Sequence, residues 1–278
     1  MTALIFAVHP MNVEAVAWIS ADKITIYAFF YLSAVYTFLF FLNNNKIRYY
    51  IITVLLFVFS FGGKEQAVTL PVCLFMLYFI NGCSLKDKKM WFGLVPFFML
   101  SVVFGIITLL SQASVGSGIL AGTETYPFWQ RIVLASYSLV EYAVKFFLPY
   151  NLLYLYPFPM RIGEALPDWM LVYPALVLVF AAAFWKYVSK GISAAGLTFF
   201  LIHIAITLHI IPMSRFAMIA DRYIYMAGIG LAFIVAYYSV KIITIKRGLL
   251  RSQYGLRTKI KMQTVDNKCL ILSISISA

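Results

Sequence analysis

Residues 24–42 read ITIYAFFYLSAVYTFLFFL, without one charged side chain. A spanning helix needs about 20 predominantly apolar residues to cross roughly 30 Å of hydrocarbon, so this run is long enough to cross a bilayer. Outward from it, runs of the same kind follow at Tyr49–Phe61, Ala67–Ile80, Phe92–Leu110, Met170–Trp185, Ile192–Met213 and Tyr223–Ile245. Tyr49–Phe61 is short unless its tyrosine end sits in the headgroup layer. The expected count is about seven spans, with one ambiguous segment at Ile132–Leu148.

Composition agrees with the runs. The chain is 63% hydrophobic and 12% charged, with a mean hydropathy of +0.90, whereas soluble domains carry about 25% charge. A soluble globular domain is excluded. The expected fold is an all-α polytopic membrane protein, with residues 1–245 forming the helical domain and 246–278 a basic, unstructured tail.

Lysine and arginine in short loops favour the cytoplasmic side. Basic residues concentrate at Asn43–Arg48, at Lys86–Lys89, at Lys186–Lys190 and in the tail from Lys246 to Lys261. Those four belong inside. His9–Lys23, Lys64–Gln66, Ser111–Gln130, Tyr150–Asp168 and Ser214–Arg222, which hold most of the acidic residues, then lie outside. A full crossing by Ile132–Leu148 would turn the tail outward, so that segment is expected to be re-entrant or to lie in the interface. Glu141 and Lys145, spaced i,i+4, can then share solvent or a partner while Trp129, Tyr137 and Tyr142 anchor at headgroup depth. A helix passing out and back through a water-lined cavity is the competing arrangement.

The net charge of +12 is accounted for by these loops and needs no nucleic acid. Cys73, Cys83 and Cys269 show no CxxC spacing, so neither a disulfide framework nor a zinc site is expected. No bound cofactor or metal is expected either. The eight residues before His9 read like the last turns of a helix arriving at the outer face, and no signal peptide is evident. Both ends read as incomplete.

Three outer motifs carry the chemistry. In HPMNVEAVAWISADK (9–23), Pro10 breaks the incoming helix, and Glu14 and Trp18 fall on one face of the helix after it. His9, Glu14, Asp22 and Lys23 could line one cleft at the membrane surface, or the stretch could be a solvated hairpin with a tryptophan anchor. In SFGGKEQAVTLP (60–71), a turn at Gly62 and Gly63 brings Lys64, Glu65 and Gln66 to the start of the next span. Free backbone N–H groups beside an ammonium suit a phosphate, and a snorkelling lysine would read the same. In IADRYIYMAGIG (219–230), Arg222 could bind a phosphate oriented by Asp221, or the two could be an exposed ion pair. Tyr223 suits the aromatic belt. His203 and His209 do not share a helix face and read as packed polar residues, and ASVGSGILAG (113–122) lacks the lysine of a nucleotide loop.

Taken in order, ALIFAVHPMNVEAVAWIS, GGKEQAVTLP with Tyr78, PFFMLSVVFG, KFFLPYNLLYLYPFP and ADRYIYMAGIG resemble the transmembrane half of the TMTC-like family, the transmembrane and tetratricopeptide repeat-containing proteins placed among GT-C-type glycosyltransferases. The resemblance runs from about residue 3 to residue 240. It implies a GT-C-like bundle of 7–8 spans plus the re-entrant or interfacial segment. It also implies an enzyme taking a sugar, such as mannose, from a polyprenyl-phosphate carrier and transferring it, outside the cytoplasm, to a hydroxyl on a protein or glycan acceptor. The implied location is a bacterial inner (plasma) membrane with the tail cytoplasmic, and the implied partners are membrane lipid and the lipid-linked donor. By likeness, His9 and Glu14 match the family's His-Pro and downstream Glu. Lys64 and Glu65, with Gln66 beside them, match its Lys-Glu pair, and Asp221, Arg222 and Tyr223 match its Asp-Arg-Tyr. The family's acidic base lies in a loop upstream of the position equivalent to Thr2, and its repeats follow the last span; neither is found in this sequence. The residue before Asp22 and Lys23, basic in relatives, is Ala21. A transporter or flippase of lipid-linked glycans would need ionisable groups deep in several spans, and a non-catalytic scaffold would show no convergent cavity.

Overall fold

A computed structural model describes residues 1–82, 84, 86–114, 126–153, 156–188, 191–210 and 217–253. The helices, in chain order, are α1 (Thr2–Val8), α2 (Val13–Ala17), α3 (Asp22–Asn44), α4 (Ile47–Gly63), α5 (Leu70–Ile80), α6 (Lys88–Ser114), α7 (Phe128–Phe147), α8 (Val172–Val188), α9 (Gly191–Ile204) and α10 (Tyr225–Gln253). Short 3-10 turns cover Pro10–Asn12, Ile19–Ala21, Glu65–Thr69, Asp168–Leu171, Ala205–Thr207 and Asp221–Tyr223. Among the described residues there is no strand beyond an isolated antiparallel bridge between Tyr156 and Ile219.

Helix α3 lies within one of the stretches long and apolar enough to cross a membrane. Its buried residues, Ile24, Tyr27, Ala28, Tyr31, Ala34 and Phe38, recur at three- and four-residue spacing and form one stripe. Ile26, Phe29, Leu32 and Tyr36, on the other faces, are exposed. A helix apolar all round has no water-facing side and suits the core of a large protein or a membrane span. Asn45 ends α3 in the left-handed region at φ 51°, with its N–H 2.7 Å from Phe41 O, and the chain returns as α4. Asparagine tolerates that conformation better than most side chains. Tyr31, Phe38, Phe57, Leu74, Leu94 and Phe97 close one core among α3, α4, α5 and α6. A second core holds Met11, Leu134, Tyr142, Met170, Phe200, Ile204 and Ile224. Helix α10 serves both, because Met226 enters the first while Ala227 and Leu231 enter the second.

Gly196 on α9 and Gly230 on α10 let these two helices cross closely. A Cβ on Gly230 would lie 2.9 Å from Phe200 N, and one on Gly196 2.7 Å from Gly230 O. Backbone occupies the space a side chain would need.

The span count differs from the expected seven. Among the described residues, three stretches are long and apolar enough to cross a membrane: Ile19–Asn44, Met90–Ser111 and Tyr225–Ile245. Ile47–Gly63, Glu65–Ile80, Asp168–Ala183 and Gly191–Thr207 are shorter apolar helices; at 1.5 Å per residue, seventeen residues such as those of α4 reach only about 26 Å. The continuous hydropathy of Ile192–Met213 hid a break. Helix α9 stops at Ile204, a 3-10 turn follows, and His209 takes φ 59°. At the other end α10 runs past Ile245 to Gln253, so the first part of the basic tail is helical. Helix α7 is 20 residues long but not one of the apolar helices. It buries Gln130, Ser138 and Lys145 on one side and exposes Phe128, Trp129 and Phe147, with Leu148 exposed just beyond its end. The rest of the tail, the loop after Ser114 with Glu124, Cys83 and Cys269 lie outside the described residues.

Candidate functional site

Arg222 lies at the centre of the arrangement. It sits in the turn Asp221–Tyr223 that leads into α10, and its partner Glu14 comes from α2, 208 residues earlier. The Arg222 backbone N–H donates to Glu14 Oε2 at 2.8 Å, and its Nη1 donates to Glu14 Oε1. One carboxylate thus takes two donors from one residue. The guanidinium also lies over Trp18, 5.2 Å from the ring centroid, and over Tyr223 at 5.0 Å. Burial pulls the Arg222 pKa down, and the bond to Glu14 more than offsets it, so the group stays charged.

Lys64 reaches the same tyrosine from another part of the chain. Its Nζ is 5.4 Å from the Tyr223 ring centroid, and the residue is buried. Gly63 makes this possible: a Cβ there would meet Tyr27 N at 2.6 Å and Lys23 O at 2.8 Å, so α4 ends directly on the backbone of α3. Two cations and one carboxylate therefore gather around Tyr223, beside a buried Asp221.

A clamp from α7 and the following loop fixes Asp221. The Tyr142 hydroxyl lies 3.1 Å from Ala220 N and 3.4 Å from Ala220 O, serving both backbone groups. The Tyr156 hydroxyl accepts from Leu153 N at 2.8 Å and stands 3.3 Å from Asp221 Oδ1 and 3.1 Å from Asn151 O. Lys145 Nζ donates to Tyr150 O at 3.1 Å, lies over the rings of Tyr150 and Tyr156, and is 3.9 Å from Glu141. Burial pushes the Asp221 carboxyl up to about 6; the Tyr156 hydroxyl opposes this, Glu14 adds to it and Lys145 opposes it. Burial also pushes the Tyr156 hydroxyl up to about 12.

His9 is a pin between elements. Its Nδ1 accepts from Met11 N at 3.3 Å, so Nε2 carries the proton and donates to Phe146 O at 2.8 Å. The imidazole stacks on Phe146, centroids 4.3 Å apart. His9 thereby ties the first hairpin to α7.

Of the residues singled out by sequence, Glu14, Lys64, Asp221, Arg222 and Tyr223 are brought together. Asp22 and Lys23 are exposed at the start of α3. Glu65 is half-buried and Gln66 buried, and neither is seen in contact with Arg222. Sequence reasoning missed the parts played by Tyr142, Lys145 and Tyr156. The Glu141–Lys145 spacing was the available signal, but the carbonyls that hold Lys145 come from a loop without a motif. His203 bonds to Phe199 O and His209 to Met218 O, each in its own surroundings.

No group of three or more metal-ligating side chains occurs among the described residues. No family model, curated protein or solved structure matches the chain. Among the described residues, fold and site together define a helical protein with three helices of membrane-crossing length and a polar cluster at the ends of α2, α4 and the start of α10.

Proposed function

We propose that this chain is a GT-C-like, TMTC-like membrane glycosyltransferase module that handles a polyprenyl-phosphate-linked sugar such as mannose outside the cytoplasm. The observation that carries the reading is the pair of cations, Lys64 and Arg222, on one tyrosine ring beside Glu14 and Asp221. In such a transfer an acceptor oxygen attacks the anomeric carbon, the bond to the lipid phosphate breaks, and the acceptor proton passes to a carboxylate. Cations near the departing phosphate stabilise its growing charge. Lys64 and Arg222 are the residues for that role, with a protein or glycan hydroxyl as acceptor.

The proposal includes a topology. The four shorter apolar helices complete their crossings with flanking tyrosines and turns, giving 7–8 spans, and α7 lies in the interface or re-enters. The basic tail is then cytoplasmic, in a bacterial inner membrane.

One observation favours a second reading. Arg222 is engaged by Glu14 through both its backbone and its guanidinium, as befits a structural pin in a non-catalytic scaffold.

The test is transfer from radiolabelled polyprenyl-phosphate mannose to acceptor peptides by membranes containing the chain. Transfer that falls at least tenfold in Lys64→Ala and in Arg222→Ala, with insertion unchanged, supports the enzyme. Transfer unaffected by both removes these residues from the site, and no transfer by the parent chain favours the scaffold.

A further inference from the structure

Two buried polar groups inside the bundle belong to no part of the site above. His203 on α9 is 3% exposed, and Gln66 in the turn leading to α5 is 5% exposed. His203 Nδ1 lies 2.8 Å from Phe199 O. A carbonyl only accepts, so Nδ1 carries the proton and Nε2 of the neutral ring is an acceptor. That Nε2 has no hydrogen-bond partner, and neither has Gln66 Nε2, which is a donor; both atoms are sealed from the outside. Buried polar groups of native proteins are almost always paired, so two orphans of opposite sense call for a ligand.

The two residues share neighbours. The Tyr31 ring packs edge-on against His203, centroids 4.9 Å apart. The Tyr31 hydroxyl is 3.2 Å from Thr69 Oγ1, which is itself 2.9 Å from Gln66 O. Helix α9 packs on both the 65–69 turn and α5. A ligand here must both accept from an amide N–H and donate to an imidazole nitrogen. A cation would meet the amide hydrogens, an anion would meet the imidazole lone pair, and an apolar molecule would satisfy neither. Complete enclosure restricts the size.

We propose that a single water molecule is bound between α3, the 65–69 turn and α9, accepting from Gln66 Nε2–H and donating to His203 Nε2, with the Tyr31 hydroxyl as its third partner. Buried waters typically make about three hydrogen bonds, which matches this set. Gln66 follows Lys64 by two positions, so the water fastens the turn that carries Lys64 to α9. The site is independent of any reading of the chemistry at Arg222.

Water-edited solid-state NMR on the full chain in lipid nanodiscs, labelled with 15N-histidine, tests the proposal. His203 is assigned by the loss of its signals in His203→Gln. Magnetisation from water protons should reach His203 Nε2 in the parent chain and be lost in Gln66→Leu, while the protonated Nδ1 signal stays in place. No transfer to Nε2 in the parent chain overturns the proposal, as does transfer that survives Gln66→Leu. Should Gln66→Leu fail to fold, Gln66→Met is the replacement, and the parent spectrum remains decisive against the site if no transfer is seen.

Discussion

Removing Glu14 and Arg222 singly and together measures how firmly the first hairpin is fastened to the start of α10. The side chains are 12% and 19% exposed, so the pair is neither a surface bridge, worth about 0.2–1 kcal/mol, nor fully sealed, where breaking a pair costs about 3–5 kcal/mol. Charge-assisted hydrogen bonds contribute about 1.5–3 kcal/mol each. Allowing for residual solvent at Arg222, the side-chain coupling should come to about 2 kcal/mol, a factor of about 30 in the unfolding equilibrium. The cycle isolates that part, because in Arg222→Ala the 222 amide still donates to Glu14 Oε2. Glu14→Ala removes that acceptor as well and should be the costlier single change. Unfolding by SDS in mixed micelles, followed by helical circular dichroism for Glu14→Ala, Arg222→Ala and the double variant, gives the coupling. A value below about 0.5 kcal/mol, the scatter expected of independent sites, would refute the reasoning.

Gly230→Ala should destabilise by about 2 kcal/mol in the same titration, since its Cβ would run into α9 backbone. Gly105→Ala, with nothing within 4 Å of its Cβ, serves as the control and should cost nothing. Tyr142→Phe removes the hydroxyl that accepts from the Ala220 N–H and should cost about 1–3 kcal/mol; an unchanged midpoint would mean that the clamp is not formed. The raised carboxyl of Asp221, about 6 against 3.8 unperturbed, gives a pH signature. The folded state binds the proton more tightly, so this contribution is fully present below about pH 4 and is lost as pH rises through about 6. The melting-temperature difference between the parent chain and Asp221→Asn should change across that window, and a constant difference counts against a buried Asp221.

Much of the helical framework could be read directly, because apolar runs such as Ile24–Leu42 and Tyr223–Ile245 mark helices whatever their neighbours do. Glu14 and Trp18 could be placed on one face from their spacing, and both contact Arg222. Which runs form helices long enough to cross unaided could not be read, since hydropathy is blind to backbone breaks and counted Ile192–Met213 as continuous. Nor could the clamp around Asp221. Its donors and acceptors are largely backbone groups of residues 150–153 and 220, and such groups leave no mark in a side-chain pattern. Gly63 and Gly196 illustrate the middle case: each is visible as a glycine, but only the partner helix shows why no other residue fits.

The most direct test of the central claim, that Lys64 and Arg222 form a lipid-phosphate site, is photocrosslinking in nanodiscs. The probe is a polyprenyl phosphate with a photoreactive group next to the phosphate, and the labelled residues are mapped by mass spectrometry. The account predicts labelling on the segments holding Lys64 and Tyr223, competed by unlabelled polyprenyl phosphate and lost in Lys64→Ala with Arg222→Ala. Labelling spread along the lipid-facing helices and indifferent to those substitutions would contradict it.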